Sequence, residues 1–216
     1  MPSAELTPWT LYQRLAALLG PSGWWPADSK LEIAVGAILV QNTNWRNVDR
    51  SLANLRAATQ FAPASLAALS QADLIPLIRP SGFYQNKSRA LVALMSWLQA
   101  RRFDLDAIGK TPAADLRQQL LALPGIGQET ADALRLYVFD QPTFIADNYS
   151  RRLFGWLGVP ANTYQQLYRR LPEVADWTLK DAQEFHGLID NFGKTVKQKE
   201  NFDDSPLAGM KLELAQ

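Results

Sequence analysis

The sequence predicts an all-α fold, and three observations carry that prediction. Apolar residues recur three and four positions apart in nearly every segment. The connections between those segments are short and marked by Pro, Gly, Asn or Asp. The stretch richest in Ile and Val, Ile33 to Val40 within SKLEIAVGAILVQNTNW, is apolar on every side and too long for an ordinary strand, as a central buried helix would be.

From the N-terminus, TPWTLYQRLAALLG opens on the capping residue Thr7, has Pro8 at the first helical position, and stops at Gly20 before Pro21. A loop, PSGWWPAD, leads into the buried helix. Apolar stripes then recur in NVDRSLANLRAA, SQADLIPLI, KSRALVALMSWLQARR and PAADLRQQLLAL. They continue through ETADALRLYVF, NYSRRLFGWLG, TYQQLYRRLPEV and TLKDAQEFHGLIDNFGKTVKQK, which makes roughly ten helices without an internal repeat. The tail from Asp203 mixes Pro, Gly and acids and is expected to be loosely ordered.

A chain of 216 residues can bury one sizeable core, or build two small lobes that share one. No run approaches the ~18 apolar residues of a membrane span. The opening MPSAELTPWT has no basic region followed by an apolar one, so it does not read as a secretory signal; a cytoplasmic protein with no membrane partner is expected. The absence of cysteine excludes disulfides, thiolate metal sites and cysteine-held iron–sulfur clusters. A net charge of +1 gives no general reason to bind nucleic acid. Locally, Leu74 to Phe103 carries Arg79, Lys87, Arg89, Arg101 and Arg102 without an acid, and GKTVKQK groups Lys194, Lys197 and Lys199; solvated surface charge accounts for either cluster equally well. Seven tryptophans can fill a core or stack on a flat ligand.

LPGIGQETAD, Leu123 to Asp132, is the most informative stretch. An apolar helix ends at Leu123, the chain turns through Pro124-Gly125-Ile126-Gly127, and a second helix begins: a helix–hairpin–helix. Glycines let another backbone, or a phosphate, come closer than a Cβ permits. The amides from Gly125 to about Gln128, with Glu129 and Thr130 in the following turn, would point outward at the positive end of the second helix. The carbonyls of Leu121, Leu123 and Ile126 could hold a monovalent cation. An ordinary corner with glycine for steric reasons explains PGIG as well, and without a P-loop lysine or a preceding strand it is not a nucleotide site. In PTFIADNYSRRL an apolar run closes on Asp147 just before a helix; alone, that residue could simply cap the helix. His186, the only histidine, reads more readily as a core hydrogen-bonding group than as a catalyst.

Together, LPGxG, then TA, then an Asp 24 residues past Leu123 resemble the helix–hairpin–helix DNA glycosylases of the endonuclease III superfamily. The resemblance implies that Asp147 is the catalytic carboxylate. GAILVQNTNW matches the helix from which that family inserts a polar residue into DNA, with Gln41 in the wedging position, and RPSGFYQNKSRAL matches the family's Gly-Phe/Tyr-x-x-Lys-Ala segment. It further implies two helical lobes with the active site between them: residues 29–142 as the multi-helix domain ending in the hairpin, and residues 1–28 with 143–216 as the second lobe. The expected partner is double-stranded DNA bound by a monomer, with Lys87, Arg89 and the hairpin amides on phosphates.

Two departures narrow the reaction. The four cysteines of the iron–sulfur branch are absent, so no cluster is expected. The lysine with which bifunctional members attack the sugar is replaced by Glu129, which cannot form an imine. GWWP, RPSGFY, GIGQETAD and FHGLI followed by lysines resemble the cluster-free 3-methyladenine DNA glycosylase III branch. That resemblance implies hydrolytic removal of alkylated purines, without lyase activity, in a slot walled by Trp24, Trp25, Pro26 and Trp45. It also implies a pocket lysine carrying a carbamate, Lys194 in this register with Lys197 as the fallback. Asp147, at a helix N-terminus, is expected to stay ionised and to stabilise an oxocarbenium-like sugar. A glycosylase for oxidised or mismatched bases and a non-catalytic lesion-binding protein of this fold are the alternatives.

Overall fold

The computed structural model describes residues 5–214. Among these, thirteen α-helices and two 3-10 turns carry almost all the regular structure, so the all-α expectation holds. The tail is better ordered than its composition suggests. Strand β2 (Lys211–Leu212) pairs in parallel with β1 (Glu5–Leu6), and the buried side chains of Leu6, Leu207 and Leu212 give it something to fold onto. Gln216 and its neighbour Ala215 lie outside the described residues.

The chain divides into two compact units, one formed by Ala27–Gln141 and the other by the described residues up to Pro26 together with those from Pro142 onward. In the first, α2 (Lys30–Leu39) packs against α3 (Trp45–Thr59), α6 (Tyr84–Gln99) and α9 (Gln128–Tyr137). Eight of its ten residues are buried, as the Ile/Val-rich pattern requires. One of the eight is Glu32, whose carboxylate accepts from Arg56 at 2.5 Å and from the Asp28 amide at 3.0 Å; such pairing is what lets a charge sit inside. The helix stops at Leu39 rather than running to Trp45. In QNTN, Asn42 adopts a left-handed φ of 52° and Asn44 caps α3 through the Asn47 amide, so turn chemistry overrides the helical reading there. Around this centre lie α4 (Pro63–Ala68), α5 (Gln71–Ile78), a 3-10 turn (Arg79–Ser81), α7 (Leu105–Gly109) and α8 (Ala113–Leu121).

In the other unit, α12 (Leu179–Thr195) packs against α1 (Pro8–Leu19) and α10 (Asn148–Trp156). Thr7 and Thr10 close a reciprocal capping box at the start of α1. Leu11, Leu15, Phe154, Phe185, Leu188 and Phe192 form the core, each large side chain stabilising the fold by about 2 kcal/mol. Trp9 and Trp177 pack edge-on at 5.0 Å beside Tyr12 and Phe185, so these two tryptophans belong to structure. The segments α11 (Tyr164–Tyr168), a 3-10 turn (Pro172–Asp176) and α13 (Lys199–Asp203) complete the unit. No helix among the described residues is long and apolar enough to cross a membrane.

Candidate active site and hairpin

The hairpin lies wholly within the Ala27–Gln141 unit. Between α8 and α9 the Ile126 amide donates to the Leu123 carbonyl at 3.2 Å, and the Ile126 side chain is buried, which pins the tip of the turn. Gly125 has φ +77°, and a Cβ there would stand 2.8 Å from the Ala90 Cβ, so the turn is seated directly on α6 and tolerates only glycine. Gly127 differs. Its φ is −88°, and a Cβ there would meet nothing within 4 Å, so no neighbour inside the chain requires it. No side chain caps the start of α9, where Gln128 and Glu129 are exposed. The result is a first helical turn whose backbone donors face outward at the positive end of a ten-residue helix.

Thr130 and Lys87 are not where a DNA contact would put them. The Thr130 side chain is buried, and its hydroxyl accepts from Gln41 Nε2 at 2.9 Å, so it serves the fold of the turn. Gln41 also donates to the Gly125 carbonyl at 3.2 Å, which ties the turn after α2 to the hairpin. Lys87 is 2% exposed, and its ammonium donates to the carbonyls of Leu39 (2.8 Å) and Ser81 (2.6 Å); a phosphate cannot reach it. Arg89 is exposed and bonds Asn86. Beneath the hairpin, fully buried Asp132 accepts from Arg117 at 2.9 Å and from Arg135 at 3.1 Å, a charge triad that locks α8 to α9. As for the candidate cation ligands, Leu123 has one lone pair already engaged by Ile126, and Leu121 supplies one of the unpaired carbonyls at the end of α8.

Asp147 lies in the other unit. The apolar run Phe144-Ile145-Ala146 is buried and delivers it to the N-cap of α10, where Oδ1 accepts from the Ser150 amide at 2.7 Å. Ser150 in turn donates to the Ile145 carbonyl at 2.8 Å and fixes the approach. The N-cap reading and the catalytic reading are both compatible with one carboxylate, because the Ser150 amide takes Oδ1 while Oδ2 faces His186. Burial raises the Asp147 pKa above its ordinary 3.8, against the lowering pull of the Ser150 and Tyr149 amides and the Arg151 charge. The helix end favours the ionised form, as expected, but desolvation outweighs it.

The second oxygen, Oδ2, lies 3.9 Å from Nε2 of His186 on α12. Burial lowers the His186 pKa to about 4, so the ring is neutral near pH 7. His186, Asp190 and Lys194 stand four residues apart on one face of α12. Lys194 pairs with the largely buried Asp190, and its ammonium sits 4.6 Å from the centroid of the Trp24 ring. These are the partners of a cation. A carbamate on Lys194 would set a second anion beside Asp190, so the modification expected there does not fit; Lys197, the fallback, is exposed.

The tryptophan loop is built onto the same helix. Glu184 accepts from the Ser22 amide at 2.6 Å and from its hydroxyl at 2.7 Å, and Asn191 donates to the Ser22 carbonyl at 3.0 Å. Gly187 permits this, since a Cβ there would come within 2.7 Å of the Trp24 Cβ. Trp24 and Trp25 are half-buried with ring centroids 4.9 Å apart, and Pro26 is exposed. One unit thus brings Asp147, Trp24, Trp25 and Lys194 together around α12. Gln41, the hairpin and half-buried Trp45, at the start of α3, belong to the other. Sequence reading missed His186 and Asp190 as neighbours of the carboxylate, although their helical spacing with Lys194 was visible. It also missed Phe83, which is 65% exposed at a left-handed φ of 47°.

Comparison with known proteins gives these features a family. Residues 35–176 match the model of the HhH-GPD superfamily base excision DNA repair proteins. A Methanocaldococcus jannaschii protein whose name assigns it to the DNA repair glycosylases is 33% identical over 204 residues, covering 91% of this chain and 92% of that protein. Endonuclease III of Thermotoga maritima is 28% identical, over 78% of this chain and 75% of its own length. Among solved structures, the H. pylori 3-methyladenine DNA glycosylase MagIII, bound to 1,N6-ethenoadenine, superposes with a TM-score of 0.77 at 26% identity, covering 89% of this chain and all of that one. A hairpin seated on α6, a carboxylate capping α10 and a family match that spans both place this chain in the HhH-GPD superfamily of base excision DNA repair proteins.

Proposed function

We propose that the protein is a monofunctional DNA glycosylase that excises alkylated purines, 3-methyladenine first, from duplex DNA. The observation that carries this reading is the half-committed carboxylate of Asp147: Oδ1 is fixed by the Ser150 amide, while Oδ2 looks toward a neutral imidazole in a largely dry setting. Such a group can face a developing positive charge without first reorganising. A methylated purine carries its own positive charge. When its glycosidic bond breaks, the bonding pair goes to the base and neutralises it, leaving an oxocarbenium-like C1′. Asp147 stabilises that cation and orients water, which adds to C1′ and passes a proton to the carboxylate. Trp24 and Trp25 provide π faces for a flat cationic base. Asp190 offsets Lys194, so the lysine adds little repulsion.

The outward amides at Gly127 and Gln128, with Arg89, are assigned to backbone phosphates, and Gln41 to the gap left by the extruded nucleotide. A monovalent cation on the Leu121, Leu123 and Ile126 carbonyls would add charge beside such a phosphate. Glu129 stands where strand-cleaving relatives carry a lysine, and this supports base removal without strand scission. Base release from a 3-methyladenine duplex tests the reading. The 28% identity to a named endonuclease III supports a second one, excision of oxidised bases. Parallel incubation with alkylated and oxidised duplexes separates the two, and binding without release from either would favour a lesion-binding protein.

A further inference from the structure

Lys87 has no place in the catalytic reading and yet occupies a costly position. An ammonium that is almost wholly buried is expensive unless its donors are satisfied. Here they go to two carbonyls from different parts of the unit. Leu39 is the last residue of α2, so its carbonyl is one of the helix's unpaired C-terminal acceptors, at the negative end of the helix dipole. Ser81 closes the 3-10 turn that precedes Phe83. Immediately past the first carbonyl comes the turn bearing Gln41; immediately past the second comes exposed Phe83, held in a left-handed conformation. Three residues further along α6, Ala90 is the surface on which Gly125 of the hairpin rests, and Gln41 closes the triangle by donating to the Gly125 carbonyl.

The Ser81 side of this arrangement is rigid in its own right. The Ser81 hydroxyl donates to the Ile78 carbonyl at 2.8 Å and lies 3.2 Å from the Ser51 hydroxyl of α3. On the Leu39 side the far end of the turn is held by α3, where Asn47 donates to the Thr43 hydroxyl at 3.2 Å, and the near end by Gln41 and Lys87. We propose that Lys87 is a positioning residue, a buried brace whose ammonium fixes the Gln41 turn and the Phe83 turn relative to each other, so that both reach a distorted duplex together. The brace rests on the DNA-facing role proposed above for Gln41, and extends it to the turn that presents exposed Phe83. A general phosphate contact and a brace differ in what they control. The first contributes to binding of any duplex; the second contributes only where both turns must engage at once, at the extruded nucleotide.

Lys87→Met, which keeps the stem and removes the donors, tests this. Affinity for undamaged duplex should stay within about twofold of wild type, with an unchanged dependence on salt. Single-turnover excision should fall by roughly tenfold or more, since small misplacements at a reacting centre are costly. Hydrogen exchange should quicken in residues 40–44 and 81–84 while the interior of α9 keeps its protection. Lys87→Arg keeps the charge and several donors, and is expected to recover excision in proportion to the protection it restores in those two turns. If Lys87→Met does not accumulate folded, Lys87→Arg carries the test by that proportionality. A shallower salt dependence with a parallel loss on undamaged duplex would overturn the proposal in favour of a phosphate contact. Unchanged excision, or unchanged exchange in both turns, would overturn it outright. If the wild-type protein releases no base from any duplex, the proposed function fails, while the exchange comparison still decides the brace.

Discussion

The only histidine of the chain places Nε2 3.9 Å from Oδ2 of Asp147, too far for a hydrogen bond and too near to be indifferent to its charge. Burial acts on the two groups in opposite directions, raising the carboxyl and lowering the imidazole, and in both cases it favours the neutral form. The Ser150 and Tyr149 amides and the Arg151 charge restore part of the carboxylate's ionised character.

Removing the negative charge while keeping the shape should abolish the chemistry. Asp147→Asn retains an oxygen for the Ser150 amide, so the N-cap and the fold should survive. Single-turnover base release should drop by about 10²-fold or more, with lesion-duplex binding retained. Wild-type excision by this variant would remove Asp147 from the mechanism.

The pH dependence of excision follows from the same carboxyl. Because its folded pKa is raised, acid should silence the enzyme earlier than an ordinary carboxylate would. The excision rate should fall as pH drops, with its midpoint displaced upward from that of an ordinary aspartate, measured by single-turnover release. A rate that does not fall until pH is below the range of an ordinary aspartate would contradict the assignment.

Stability should respond to His186 with a definite sign. Its folded pKa of about 4 lies below the ordinary 6.5, so between those values the unfolded chain binds the extra proton. Unfolding free energy should therefore be unaffected above pH 6.5 and fall as pH drops toward 4, by at most about 3 kcal/mol from this group. Asp147, whose folded pKa is raised, contributes with the opposite sign as it takes up its proton. In His186→Asn the decline between pH 6.5 and 4 should be smaller than in wild type, as read from denaturant melts at each pH.

The two hairpin glycines should separate stability from binding. Gly125→Ala forces a Cβ onto Ala90 at a positive φ and should cost about 1–3 kcal/mol of stability. Gly127→Ala meets open space at an ordinary φ and should leave the melting curve nearly unchanged, yet weaken duplex binding where the backbone meets a phosphate. Equal effects on stability would show that Gly127 is also a packing residue.

Periodicity and turn chemistry made most of the fold legible: the Ile/Val-rich stretch had to be a buried helix, and Thr7 and Asp147 announced helix starts that the structure contains. What stayed hidden depended on distant neighbours. Nothing in QNKSRA says that the lysine turns inward to two carbonyls while the arginine two residues later turns out. Nothing in the tail says that Leu212 finds Leu6. Asp147 was singled out by the motif's resemblance to the family, but its burial, and hence the direction of its pKa, depends on residues 30 to 50 positions away on α12.

The central claim is that this chain removes an alkylated purine and stops there. Incubating it with an end-labelled duplex that carries one 3-methyladenine, and dividing each sample between neutral and alkaline treatment, tests that directly. The account predicts released base and intact strands at neutral pH, with scission at the lesion only after alkali. No released base, or strands already cut before alkali, would contradict it.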